Sequence, residues 1–161
     1  MDISMQKITA CLWFDTQAEE AAEYYVSVFD NAKIKNVSRY GEGGPGPVGQ
    51  AVVVEFDIEG QAFQALNGGP AFSFTEAVSF VIDCASQDEV DRYWNALTDG
   101  GTESQCGWLK DRYGVSWQIV PSVLGQLIGG PDPAGSQRAV QAMLGMRKLD
   151  IAELQKAYDG G

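Results

Sequence analysis

The residues of this chain that could do chemistry are few, and two of them stand out by their surroundings. Gln118, in the run SWQIVP, is a carboxamide among apolar neighbours, and Glu55, in VVVEF, is a carboxylate among valines. A polar group buried in such a run without a hydrogen-bond partner costs roughly 1–3 kcal/mol, so Gln118 is expected to face a cavity or a partner. Glu55 is either a ligand or proton acceptor, or a residue on the solvent face of an antiparallel strand. Asn67, closing FQALN, is either a turn residue or a pocket amide. Cys106 has Lys110 and Arg112 close in sequence, and nearby cations lower a thiol pKa; its other reading is a small buried residue. Trp13 and Trp108 are candidates to line a pocket for a flat or apolar ligand, whereas Trp117 alternates with Val115 and Ile119 and reads as core. Asp111 reads most simply as an Asx turn. The resulting candidate cleft comprises Trp13, Glu55, Asn67, Cys106, Trp108 and Gln118, with Glu55 as proton acceptor and the two amides orienting a carbonyl or hydroxyl.

Composition removes several alternatives. The 161 residues contain no histidine, so Ser-His and Cys-His pairs and imidazole ligation are excluded. A formal charge of −11 repels phosphate backbones and anionic lipid, so neither nucleic acid nor membrane is expected as a partner. No apolar run approaches the ~20 residues of a membrane span, and residues 1–9 lack an apolar leader core. The three cysteines Cys11, Cys84 and Cys106 form no CxxC, which points to a reduced cytoplasm. The glycines of residues 41–49 (GEGGPGPVG) precede a strand rather than a helix, so they read as a hairpin loop and not as a phosphate cradle.

The elements that must position these side chains follow from periodicity. Residues 5–14 read as a strand and Thr16 with Glu19 as a capping box. Ala18, Ala21, Ala22, Tyr25, Val26 and Phe29 then trace one face of a helix. Strands follow at residues 33–40, 50–58 and 61–66, the last two joined by a tight turn at Glu59-Gly60. The second half reads alike, with a strand at 78–84, a capping box at Ser86 and Glu89, and a helical stripe of Val90, Tyr93, Trp94 and Leu97. Extended runs at 102–109 and 115–120 complete it around a turn at residues 111–114. Thr16 and Ser86 lie 70 positions apart with matching flanks, which suggests duplication of a β-α-β-β-β unit. Beyond Pro121 short helices are expected at 122–128, after Asp132-Pro133 and after Asp150, packed on the sheet or on a second subunit.

The segments CLWFDTQAEEAAEYYVSVF, ALNGGP, CGWLKDRYGVSWQIVP and PDPA…AMLGMRKLDIAELQKAY together resemble the PhnB-like branch of the glyoxalase, or vicinal-oxygen-chelate, superfamily. The resemblance implies an α+β fold of two βαβββ modules, at residues 5–67 and 76–121 within a domain of residues 1–124. A C-terminal helical extension of residues 125–161 would follow, and the protein would be a homodimer. The metal positions of the superfamily fall near Ala10, Glu55, Ser79 and Gln118, of which only Glu55 is a strong ligand. The expected reading is therefore small-molecule binding without metal or other cofactor, any catalysis being lyase- or isomerase-like acid–base chemistry. The alternatives are S-adenosylmethionine-dependent methyl transfer, the label this branch carries as 3-demethylubiquinone-9 3-methyltransferase, and ligand sequestration of the resistance-protein kind.

Overall fold

A computed structural model describes residues 6–161, which form two compact units divided between Phe74 and Thr75. In the first, β1 (Ala10–Phe14) is followed by α1 (Ala18–Val28), β2 (Ala32–Arg39), β3 (Ala51–Ile58) and β4 (Gln61–Asn67). The sheet order is β1-β4-β3-β2, with β1 parallel to β4 and the other pairs antiparallel. Alternation along the strands gives the sheet two unlike faces. Leu12, Phe14, Val54, Phe56, Ile58 and Ala65 are buried with Ala18, Ala21, Ala22 and Tyr25 of α1. Each large side chain so buried contributes about 1.5–3 kcal/mol. The opposite face is open.

The second unit repeats the order. β5 (Ser79–Cys84), α2 (Gln87–Thr98), β6 (Thr102–Glu103), β7 (Trp108–Lys110) and β8 (Ser116–Pro121) give a sheet ordered β5-β8-β7-β6. Three helices follow, α3 (Leu124–Ile128), α4 (Pro133–Leu144) and α5 (Ile151–Asp159). The two βαβββ modules and the C-terminal helices are the α+β architecture that the resemblance implied.

Three local expectations need correction. The first strand begins at Ala10, while Met5 lies outside the described residues. Before it, the Gln6 side chain takes the place of backbone pairing: its amide donates to the Ala62 carbonyl at 3.1 Å and accepts from the Ala62 N–H at 2.9 Å. The Thr16 capping box is absent, because α1 begins at Ala18 with Gln17 as its cap residue. The run 102–109 is not one strand. Cys106 (φ 58°) and Gly107 (φ 85°) break it into a β6–β7 hairpin, closed by Trp108 N–H donating to the Gln105 carbonyl at 3.1 Å. Two successive left-handed residues suit a type I′ turn, and a cysteine there costs about 1–2 kcal/mol.

That hairpin is where the C-terminal segment docks. Cys106 and Gly107 donate their N–H groups to the Met146 and Arg147 carbonyls, both at 2.8 Å. Leu149 lies so close that a Cβ on Gly107 would approach its Cδ1 to 3.1 Å and the Ile119 carbonyl to 2.9 Å. The Gln87 amide joins the segment to α2, donating to the Leu149 carbonyl and accepting from Ile151 N–H. Leu124, Leu127, Ala139, Leu149 and Leu154 form the core beneath, with Val120 of β8 packed against it. The extension thus packs on its own module.

Candidate functional site

Strand register assembles the open face of the first module row by row. Asn36, Glu55, Gln64 and Cys11 stand side by side across the four strands, flanked on one side by Ser38, Val53, Leu66 and Trp13. On the other side come Lys33, Asp57 and Ala62. Glu55 is exposed, and it stands at a cleft of about 280 Å³ whose wall also carries Gln6, Thr9, Lys35, Asp57 and Gln64. Lys35 reaches it through an irregularity in the sheet. Ile34 pairs with Phe56 and Asn36 with Glu55, so Lys35 is an extra residue in β2, a bulge. Its Nζ lies 4.0 Å from Asp57.

Asn67 belongs to the other face. Its Oδ1 accepts from Ala18 N–H at 2.8 Å and its Nδ2 donates to the Ala51 carbonyl at 2.9 Å. The side chain is 8% exposed and ties the start of α1 to the start of β3. It therefore does for α1 what the expected Thr16 box does not, satisfying an orphan N–H of the first turn. Glu19, freed from the box, meets Arg39 at 2.6 Å, and that hydrogen bond holds its carboxyl below the usual range. Trp13 shares the face of Cys11. Its indole donates to the Gly69 carbonyl at 2.9 Å and meets Phe72 edge to face at 4.9 Å, so residues 68–72 fold over it.

In the second module Gln118 stands opposite Trp108, and its Nε2 donates to Ser79 Oγ at 3.0 Å. Gln118 thus has the polar partner its setting demanded. Ser116, two residues earlier on the same face, is buried with no hydrogen-bond partner for its hydroxyl among the described residues. Lys110 pairs with Glu76 at 2.7 Å. Asp111 makes the Asx turn, accepting from Tyr113 and Val115 N–H at 2.8 and 3.1 Å, and from the Trp117 indole at 2.9 Å. Trp117 is core. Cys106 is partly buried at the hairpin apex described above. Trp13, Glu55 and Asn67 thus belong to the first module, and Cys106, Trp108 and Gln118 to the second.

The shared strand order gives the two modules corresponding positions. Gln118 in the middle of β8 answers to Gln64 in the middle of β4, and Trp108 answers to Glu55. Sequence reasoning missed Gln64, although QAFQALN carries the same alternation as SWQIVP. It also missed Lys35, Asp57 and Thr9; Lys35 was not findable, since a bulge leaves no mark in periodicity. Ala10 alternates with Cys11 and so falls on the face of Leu12 and Phe14. Cys11 is the β1 residue in the Glu55 row; it is exposed, and the partial burial it has pushes its thiol up. Among the described residues no three Cys, Asp or Glu side chains gather to hold a metal ion.

Cys84 is a buried thiol outside both faces, pushed up to about 12 by burial, with Glu89 and Asp83 adding to the effect. No helix among the described residues is long and apolar enough to cross a membrane.

The family model of 3-demethylubiquinone-9 3-methyltransferase matches residues 6–120, spanning both modules and stopping where the helical extension starts. No curated protein matches the chain. Among solved structures, a PhnB protein from Bacillus cereus is 37% identical, with a TM-score of 0.68, over 72% of this chain and 99% of its own. A Pseudomonas aeruginosa protein is 20% identical, with a TM-score of 0.61, over 73% of this chain and 98% of its own, and shows likeness of fold. By the extent of the model match and the identity to the Bacillus cereus protein, the chain belongs to the 3-demethylubiquinone-9 3-methyltransferase family, the PhnB-like proteins.

Proposed function

We propose that this protein binds a small organic molecule on the open face of its first module, with Glu55 as the hydrogen-bond and proton acceptor and no metal in the chemistry. The observation that carries this reading is the position of Glu55, exposed at a 280 Å³ cleft among Thr9, Lys35, Asp57 and Gln64. A carboxylate at the mouth of a polar cleft can accept a proton from a bound hydroxyl, ammonium or activated carbon. Gln64 stands next to it across β4 and would orient the ligand. Trp13 bounds the face from β1, while Asn67 sets the strand and helix termini around it. Trp108, Gln118 and Cys106 form the corresponding surface of the second module, with an aromatic ring in place of the carboxylate. The protein would act as a cytoplasmic homodimer, which light scattering checks.

The test is a thermal-shift screen of small polar compounds against chelator-treated protein and its Glu55→Gln variant. Hits that stabilise the wild type and lose at least tenfold in affinity in the variant are the expected result. Equal binding by both, or binding that returns only with added divalent metal, would reject the role given to Glu55.

A second reading draws on the family's name, methyl transfer from S-adenosylmethionine. It requires that cofactor to bind, and calorimetry at saturating concentration decides. Both sheets are mixed four-stranded sheets rather than the doubly wound parallel sheet on which a glycine turn leads into a helix, so the metal-free cleft is preferred.

A further inference from the structure

The wall of the first-module cleft carries opposite charges in fixed places, and this specifies the ligand further. Regular pairing would bring β2 residues to β3 one for one. The bulge instead inserts Lys35 between Ile34 and Asn36 and turns it towards the cleft, beside the strand position opposite Glu55. Bulges re-aim side chains in this way. The Lys35 ammonium is half exposed and meets Asp57 only at 4.0 Å, at the outer limit of an ion pair, so it keeps donors for a further acceptor. Glu55 has no ion-pair partner among the described residues, and as a carboxylate it can only accept. Gln64, which both donates and accepts, stands beside Glu55 in the same row, and the Thr9 hydroxyl lines the same wall.

Resting on the binding reading above, we infer that the cleft takes a small zwitterion, its carboxylate held by Lys35 and its ammonium by Glu55. A dianion would meet both Glu55 and Asp57, and a simple cation would leave Lys35 answered by Asp57 alone, at 4.0 Å. Adjacent strands are about 4.8 Å apart, so the ligand's charges should lie a few bonds apart, as in α- to ω-amino acids of three to six carbons.

The experiment is isothermal titration of the full-length protein with that amino-acid series, each member paired with its N-acetyl and carboxamide forms. Amide resonances of residues 55 and 64 report where binding occurs. At least one zwitterion should bind, with both blocked forms tenfold weaker or worse. Lys35→Met should reduce zwitterion affinity to that of the carboxamide form, and Glu55→Gln to that of the N-acetyl form, while the untouched charge keeps its preference. Blocked and free forms binding equally, or no amino acid binding, overturns the ligand class. If neutral compounds still bind in a Glu55-dependent way, only this inference fails; if no compound depends on Glu55, the reading beneath it fails as well.

Discussion

The two modules share a strand order and differ in what holds them together. In the first, Asn67 at the end of the last strand reaches across the module to both α1 and β3. In the second the corresponding work is local and external: Ser86 caps α2 from next door, accepting from Glu89 N–H at 3.2 Å. Asp111 organises one turn and the Trp117 ring behind it, and the C-terminal segment braces the short β6–β7 hairpin. Full-length strands leave the first module's open face free to carry a cleft. The second module, whose β6 and β7 span two and three residues, takes its support from outside its βαβββ unit. The two modules thus share a topology while their stabilising contacts and face chemistry differ, with Glu55 in the first where the second has Trp108.

Measurements that remove one support at a time should sharpen this contrast. Replacing Asp111 by alanine strips three N–H groups of a buried acceptor and should cost about 3 kcal/mol, read from denaturant melts as early loss of the second module. Asn67→Ala should cost about 2 kcal/mol and fall on the first module, with hydrogen exchange rising at Ala18 and along α1. Equal loosening of both modules by either variant would break the comparison. Ser86→Ala should cost about 1 kcal/mol, while Thr16→Ala, at the other apparent capping box, should change stability by only a few tenths. A similar loss at both positions would restore the symmetry that the structure denies.

Alkaline titration probes the second module's core separately. Cys84 holds its proton up to about 12 when folded, whereas the unfolded chain releases it near 9. Between those values the folded state binds more protons, so this contribution is whole below pH 9 and declines as pH rises towards 12. The Cys84→Ala variant should show a flatter fall in denaturant midpoint across that window.

Much of the fold was legible in the sequence because its signals are local. The Ala18 to Phe29 and Val90 to Leu97 stripes, the strand alternations and the Asp111 turn each depend on residues a few positions apart. The failures involve partners distant in sequence. Asn67 caps a helix 49 residues away, and nothing near Thr16 reveals it. The Cys106 turn lacks the usual Asn-Gly signature and closes against carbonyls at Met146 and Arg147. The candidate site was half legible for the same reason. Glu55 and Gln118 were conspicuous among apolar neighbours, but the bulge that brings Lys35 to the cleft of Glu55 and the pairing of Gln64 with Glu55 appear only once strands are in register.

In the function proposed above, a ligand binds the open face of the first module and not the corresponding face of the second. The most direct test is a two-dimensional amide and side-chain NMR titration of chelator-treated protein with a small-molecule library. Binding should shift Thr9, Glu55 and the Gln64 side chain together, and those shifts should vanish in Glu55→Gln. Shifts centred on Trp108 and Gln118, or none anywhere without added metal, would contradict the account.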